Sequence, residues 1–126
     1  MYIIINYQSG EPIYEQIKSQ IRAQILACTP PAGSALPSIR TLAKELKVGI
    51  ITAKRAYDDL CGEGLLYSVQ GKGVFVAEMK SDETDLYKRK RVSEKLDEAV
   101  KTARECGVGD GELIEILNEL LNKGGR

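Results

Sequence analysis

The chain has 126 residues, of which 43% are hydrophobic, and its 18 Lys and Arg residues equal its 18 Asp and Glu residues. Such a length predicts one domain of ordinary size, or a small domain with an appendage. No apolar run approaches the roughly 20 residues that cross a bilayer, and the first residues lack the basic start and the cleavage site of a signal peptide. We therefore expect a cytoplasmic protein without a membrane partner.

The chain has no histidine, and its three cysteines are Cys28, Cys61 and Cys106. The absence of histidine excludes nucleophilic catalysis of the Ser-His or Cys-His kind. An odd number of widely spaced cysteines predicts neither a disulfide framework nor a metal site. We therefore expect no enzyme activity, no metal site and no cofactor. The cysteines are interpreted as buried or idle thiols, with a redox-sensing thiol as the alternative.

The first segment combines a short apolar run with a helix. Residues 3–7 are either an edge strand or an arm. Isoleucines then recur every four residues from Ile13 to Ile25, which predicts an amphipathic helix that begins near Pro12. The apolar stripe leaves the polar residues Lys18, Gln20, Arg22 and Gln24 away from it. The prolines of residues 29–33 end this helix.

Two more helices and a hairpin follow. Ser38 is a good N-cap for a second helix, and Lys47-Val48-Gly49 forms a tight turn before a third helix of about Ile50 to Gly62. Alternating residues on either side of Gly71-Lys72-Gly73 predict a β-hairpin. This order of elements is that of a winged helix-turn-helix, over residues 1–80.

Residues 81–126 have a different composition. The acidic stretch Ser81–Asp85 suits a helix start, and helical spacing of apolar residues continues to Cys106. Residues 107–109 break the helix, and Asp110 is expected to cap a last one. The predicted fold class is mainly α with a small β-hairpin, in which an N-terminal winged helix-turn-helix domain is followed by a two-helix dimerisation tail.

Seven short stretches carry a family resemblance, to the N-terminal domain of GntR-family transcription regulators over about residues 10–78. They are Pro12–Ile17, Leu36–Arg40, Leu42-Ala43, Ala56-Tyr57, Leu60, Glu63-Gly64-Leu65 and Gly71–Val76. The tail is similar to that of the YtrA subfamily. The resemblance implies a repressor that binds a palindromic double-stranded DNA operator as a homodimer, and such proteins often control neighbouring transporter genes. It identifies no small-molecule effector.

The resemblance also implies where DNA is contacted. The planar guanidinium of Arg40 can bind a guanine edge or a phosphate, whereas Ser38 either caps its helix only or also binds a phosphate. The start of the third helix enters the major groove, and Lys72 at the wing tip can reach a phosphate or the minor groove. The candidate DNA-binding residues are Ser38, Arg40, Gly49, Ile50, Ile51, Thr52, Lys54, Arg55, Gln70, Gly71, Lys72 and Gly73.

The chain departs from the family at Gly49-Ile50-Ile51, where a polar cap and polar or basic residues are more usual. Glycine still permits a helix start without a side-chain cap. The two isoleucines cannot donate hydrogen bonds, but they can contact thymine methyl groups. The alternative is that one of them packs against the neighbouring helix.

The tail is interpreted as a dimer interface rather than as an intrachain core, since two helices have little else to cover them. Its basic run, Lys88–Arg91, spreads around more than one helical turn, which favours a solvated face over a DNA contact. The candidate dimerisation residues are Leu96, Val100, Leu113, Ile116, Leu117, Leu120 and Leu121.

One alternative function remains open, a winged-helix protein-interaction module without sequence-specific DNA binding. The net charge of zero and the two isoleucines favour it. Residues 1–80 do carry nine basic against seven acidic side chains, and local patches rather than the total charge determine the affinity for phosphate.

Overall fold

The computed structural model describes residues 2–124, and the chain divides into two compact units at the boundary between Lys80 and Ser81. The first unit contains α1 (Ile13–Leu26), α2 (Ile39–Leu46), α3 (Ile50–Gly62), β1 (Leu66–Val69) and β2 (Gly73–Val76). The second contains α4 (Ser81–Cys106) and α5 (Asp110–Gly124). The predicted fold class, mainly α with a small β-hairpin, is confirmed. None of the helices within residues 2–124 has the length and hydropathy of a membrane span.

The core of the first unit forms where α1 and α2 pack against α3. The isoleucine stripe of α1 is buried as its spacing predicts, with Ile17 and Ile21 fully inaccessible. On α3 the buried face includes Ala53 and Ala56. These small side chains let the neighbouring helices approach closely, because little side-chain volume separates their backbones. The packing fixes α3 with its opposite face toward solvent.

Arg22, which is expected to lie away from the apolar stripe of α1, is nevertheless buried. Its side chain is 9% exposed, and it forms a two-point ion pair with Glu63, which follows α3. Nε donates to Oε1 at 3.0 Å and Nη2 donates to Oε2 at 2.8 Å. The planar guanidinium matches the carboxylate at both points, so this pair ties α1 to the end of α3.

The N-terminal residues form an arm that lies along α1 and belongs to no strand. Three glutamine side chains of α1 bind its backbone, and each one donates to and accepts from one and the same arm residue. Gln16 also donates to the Glu11 carbonyl at 2.9 Å. Alternate residues of an extended chain are about 6.7 Å apart and residues one turn apart on a helix are about 6 Å apart, so the two rows match. Gln20 and Gln24 are therefore occupied rather than merely solvated. The pairs are Gln24 with Tyr2, Gln20 with Ile4 and Gln16 with Asn6.

The hairpin pairs β1 with β2 in antiparallel register, from Leu66 opposite Val76 to Val69 opposite Gly73. A short extended segment before α2 pairs with β2 on the side away from β1. In that segment Leu36 donates its N–H to the Val74 carbonyl at 2.9 Å, and Ala35 lies opposite Phe75. We call residues 33–38 the linking segment, because they join the hairpin to the start of α2.

In the second unit a tight turn joins α4 to α5. Gly107 has a φ of +77°, in the left-handed region that glycine adopts without steric cost, and the N–H of Val108 donates to the Ala103 carbonyl at 2.7 Å. The expected cap role of Asp110 is wrong. Asp110 is the first helical residue, and the residue before it, Gly109, already accepts from Leu113 N–H through its carbonyl. The Asp110 carboxylate therefore lies in the first turn, where negative charge is favoured.

All three cysteines are free thiols. Cys28 and Cys106 are exposed, so of the two expected kinds, buried or idle, they are not the buried kind, while Cys61 on α3 is half-buried. Burial, reinforced by the nearby carboxylate of Asp58, raises the pKa of the Cys61 thiol. The thiolate is the reactive form, so Cys61 is the least suited of the three to act as a redox sensor.

Candidate nucleic-acid interface

The start of α2 is fixed by a side-chain cap, as predicted. The Ser38 Oγ accepts a hydrogen bond from Thr41 N–H at 3.0 Å and donates one to Thr41 Oγ1 at 2.9 Å. The hydroxyl proton of Ser38 is therefore used within α2, which favours the cap role over a phosphate contact. The Arg40 side chain is exposed, and within residues 2–124 no hydrogen bond or ion pair restrains it.

A tyrosine of α3 holds the residue that precedes this cap. The Tyr57 hydroxyl donates to the Pro37 carbonyl at 2.7 Å, and the tyrosine is buried. Burial, with a smaller contribution from Glu45, raises the pKa of Tyr57 well above its usual range. The hydroxyl therefore keeps its proton and remains a donor, so α3 and the start of α2 are fixed relative to each other.

The outward face of α3 combines one large apolar side chain with charged ones. Ile51 is 84% exposed, and Lys54, Arg55 and Asp58 follow it at the spacing of one and two turns, all exposed. Ile50 is 51% exposed. Gly49 starts the helix without a side-chain cap, as expected for glycine, and Thr52 is half-buried.

Both cations on this face have a partner. The Lys54 ammonium lies 2.5 Å from an Asp58 carboxylate oxygen, and both side chains are more than half exposed. The Arg55 guanidinium lies over the ring of Tyr14, with its central carbon 3.7 Å from the ring centroid. This cation–π contact leaves the N–H groups at the edge of the guanidinium free to bind another acceptor. Tyr14 thus orients Arg55 from α1.

A further cation, Lys18, lies between α1 and α3. Lys18 of α1 lies 2.7 Å from Glu15 and 3.1 Å from Asp59 of α3. Desolvation lowers its pKa, but the two carboxylates outweigh that effect and the net direction is upward. Lys18 is therefore a neutralised link between the helices rather than a cation available to a ligand.

After the starts of α2 and α3, the third group of candidate DNA-binding residues lies at the hairpin turn. Gln70, Gly71 and Lys72 are exposed and Gly73 is half-buried. The N–H of Lys72 donates to the Val69 carbonyl at 2.9 Å, and Gly71 at φ +80° makes this reversal possible. Stacking of Tyr67 on Phe75, with centroids 5.5 Å apart, stiffens the strands that carry the turn.

The structure thus places every candidate DNA-binding residue in the first unit, at the start of α2, the start of α3 or the hairpin turn. Sequence reasoning missed the residues that hold them, namely Tyr14, Thr41 and Tyr57. Tyr14 and Tyr57 lie inside motifs that carry the family resemblance, so their positions were usable signals. Thr41 had no local signal, since a Thr inside a helix is ordinary.

The tail has an apolar groove of its own. Its volume is about 350 Å³, and only apolar side chains line it. Leu121 lies outside this lining and is 62% exposed, and the candidate dimerisation residues did not include Ala99 and Ile114, which do line it. The lining residues are Leu96, Ala99, Val100, Leu113, Ile114, Ile116, Leu117 and Leu120.

Comparisons with known proteins agree on one family. Residues 13–76 match the family described as bacterial regulatory proteins, gntR family. The HTH-type transcriptional repressor YtrA of Bacillus subtilis is 31% identical, over 94% of this chain and 91% of its own. The structure of YtrA from Sulfolobus acidocaldarius, a GntR-family transcription factor, is 32% identical over 79% of this chain and 97% of that one, with a TM-score of 0.63.

A third similar structure contains DNA. It is the DNA-binding domain of AraR in complex with operator ORX1, which is 32% identical over 61% of this chain and 99% of that one, with a TM-score of 0.55. The part of the chain that it covers corresponds in extent to the first unit.

Proposed function

The chain belongs to the gntR family of bacterial regulatory proteins as a YtrA-like regulator, and from this membership we propose that it represses transcription by binding a palindromic DNA operator as a homodimer. The operator DNA of a bacterial regulator lies in the cytoplasm, which is where we expect it to act. A repressor of this kind works by occupying its site, so we assign it no catalytic step.

The outward face of α3 is the observation that carries this proposal. Its core-facing side is buried against α1 and α2, whereas Ile51, Lys54 and Arg55 are exposed on the opposite side. An α-helix fits the major groove of B-DNA, and cations that flank an apolar side chain match a groove bordered by phosphates. The complex of the AraR DNA-binding domain, a protein of similar fold, with an operator supports DNA binding by this fold.

Two further cations support binding to the phosphates of the DNA backbone. Arg40 and Lys72 are exposed and have no ion-pair partner within the described residues 2–124. Lys54 differs, because Asp58 already neutralises part of its charge. Among the candidate DNA-binding cations, Arg40 and Lys72 are therefore those whose charge is most available to phosphates, which compensates locally for the zero net charge of the chain.

The tail supports the homodimer. A groove lined only by apolar side chains is costly to leave in water, since exposed apolar area is unfavourable by roughly 25 cal/mol per Å². A second copy of the same tail covers the groove and is itself covered, as in an isologous dimer. A two-fold protein in turn matches a palindromic operator with two half-sites.

Footprinting on the DNA upstream of its own gene tests the DNA-binding function. We expect protection of a palindromic segment, and a duplex of that segment should resist competition by a scrambled duplex of equal length. Equal affinity for both duplexes at every salt concentration would contradict the proposal. In that case the winged-helix protein-interaction module becomes the better description.

Sedimentation equilibrium on the full chain tests the homodimer. Leu117→Lys places a charge in the apolar groove and should shift the protein to monomer at micromolar concentration. Leu86→Lys is the matched control, because Leu86 is on α4, is 68% exposed and does not line the groove. A dimer that survives Leu117→Lys unchanged would show that the interface lies elsewhere.

A further inference from the structure

The two isoleucines at the start of α3 have different surroundings. Ile50 shares its side of the helix with Tyr57, two turns later, which is buried and bonded to Pro37. Ile51 shares its side with Arg55 and Asp58, which are exposed. The exposed fractions follow the same division, at 51% for Ile50 and 84% for Ile51. Ile51 therefore points outward, and Ile50 lies at the edge of the core.

Ile51 lies between the two cations of this face. Lys54 and Arg55 follow it by three and four residues, so they flank it one turn further along α3. Asp58 restrains Lys54, with a carboxylate oxygen 2.5 Å from the ammonium. Tyr14 restrains Arg55, with its ring centroid 3.7 Å from the central guanidinium carbon. When DNA is bound by both cations, it covers Ile51. The Ile51 side chain then contacts a group of the DNA, and that group has to be one that does not require a hydrogen bond.

Of the groups that a base pair presents in the major groove, the thymine 5-methyl best meets that requirement, since cytosine presents only a C5–H at the same position. The other edges present amino groups or oxygen and nitrogen acceptors, and covering these with an isoleucine leaves them without water or a partner. We propose that Ile51 determines part of the operator sequence by contacting the 5-methyl group of one thymine in each half-site. This inference rests on the DNA binding proposed above and adds which base the exposed isoleucine recognises.

Uracil substitution tests this contact with a change of one methyl group. The operator is first selected by the full-length protein from a library of random duplexes, and each thymine of the half-site is then replaced by uracil in both half-sites. At one position we expect the affinity of the unaltered protein to fall about threefold to fivefold for each methyl group removed, the size of effect expected when one buried methyl group is removed. Base pairing is the same for uracil and thymine, so duplex stability is a minor contribution.

The variants assign the effect to a side chain. Ile51→Ala should bind the thymine duplex more weakly and should not distinguish it from the uracil duplex. Ile50→Ala and Ile4→Ala should keep the distinction, and Ile4 is the matched control because it is an isoleucine, 60% exposed, outside α3. Ala is a better helix former than Ile, so Ile51→Ala is expected to fold.

The outcomes separate this inference from the proposed function. A selected operator whose affinity is indifferent to uracil at every position overturns the role of Ile51 while DNA binding stands. Loss of the distinction in Ile50→Ala alone transfers the contact to Ile50 and also overturns the inference. Failure of the selection to enrich any sequence overturns the proposed function, and the inference fails with it.

Discussion

Gln20 and Ile4 exchange two hydrogen bonds, in which the Gln20 side-chain amide donates to the Ile4 carbonyl at 2.6 Å and accepts from Ile4 N–H at 2.9 Å. A glutamine side chain carries the same donor and acceptor as a peptide group. The Gln20 side chain therefore gives the arm the hydrogen bonds that a neighbouring strand would give. The arm depends on these side chains for its position, because Tyr2 and Ile4 are themselves largely exposed.

Gln20→Ala should release this part of the arm. Without the two bonds, the Ile4 amide has only water as a partner, and its hydrogen exchange should become faster by about fivefold, since a hydrogen bond contributes about 1 kcal/mol net. Exchange followed by NMR measures this. Gln8→Ala is the control, because the side chain of Gln8 has no bond to the arm backbone; unchanged exchange at Ile4 in Gln20→Ala would contradict the role of the glutamine side chains.

Arg40→Ala and Lys72→Ala should differ in kind. Arg40 can match a guanine edge with two hydrogen bonds, so its removal should cost roughly 1–3 kcal/mol on the operator and relax discrimination at one position of each half-site. Lys72→Ala should weaken binding to all sequences more evenly. It should also reduce the slope of log affinity against log salt concentration by about one for each phosphate that the lysine no longer binds.

Titration of operator and random duplexes at several salt concentrations distinguishes these two effects. Lys123→Ala, a charge change in the tail, controls for the removal of one positive charge. If Arg40→Ala and Lys72→Ala weaken operator and random binding in equal proportion, Arg40 binds phosphate only. Base recognition would then depend on Thr52, Lys54 and Ile51.

Tyr14→Leu should weaken DNA binding by removing the ring that orients Arg55. A cation–π contact at an exposed site contributes about 0.5–1 kcal/mol, so we expect affinity to fall about twofold to fivefold. Tyr14→Phe keeps the ring and should bind as the unaltered protein does. In an Arg55→Ala background, Tyr14→Leu should have no further effect, and a full effect there would show that Tyr14 acts through packing alone.

Tyr57→Phe should destabilise the first unit. The substitution removes the donor to the Pro37 carbonyl and leaves a part-buried acceptor without its partner, which costs about 1–3 kcal/mol. Urea unfolding measures the change in the free energy of unfolding. Tyr67→Phe is the matched control because that tyrosine is 45% exposed, and a similar small effect in both variants would argue against the importance of the bond.

Cys61 should be alkylated more slowly than Cys28 and Cys106 at pH 8. Its pKa is raised, by burial first and by Asp58 second, so a smaller fraction is thiolate, and that fraction increases only as the pH rises through the elevated pKa. Mass spectrometry after timed treatment with iodoacetamide gives the order of modification. Asp58→Asn should increase the rate at Cys61 and leave the exposed thiols unchanged, whereas modification of Cys61 first would contradict the assignment.

The sequence predicted what depends on near neighbours along the chain. The isoleucine period on α1, the Ser38 cap and the glycine turn at Gly71 all follow from spacings of a few residues, and the structure has each of them. One local expectation, the Asp110 cap, is wrong by a single residue. The burial of Arg22 depends instead on a partner that is distant in sequence. Arg22 and Glu63 are separated by 41 positions, and nothing in the local pattern of α1 distinguishes a paired arginine from a solvated one.

The same limit applies to the candidate interface. Its exposed residues could be selected because they occur in the family motifs, but the contact that orients Arg55 joins α3 to Tyr14 on α1. The pairing of glutamines with the arm required the path of the arm, since Gln20 and Gln24 fit a solvated surface equally well. Whether Ile50 or Ile51 faces outward depended on how α3 is rotated against α2, which only packing determines.

The linking segment has a consequence for the shape of the DNA that the protein accepts. Within six residues it bonds to the hairpin through Leu36, accepts the Tyr57 hydroxyl at Pro37 and caps α2 with Ser38. The wing and both helices are thereby bonded to one short piece of backbone, so we expect the wing to keep its position relative to α2 and α3. In the proposed mode of binding, DNA that is locally overwound or underwound would present its phosphates out of phase with Arg40 and Lys72, and we expect the protein to bind such DNA more weakly.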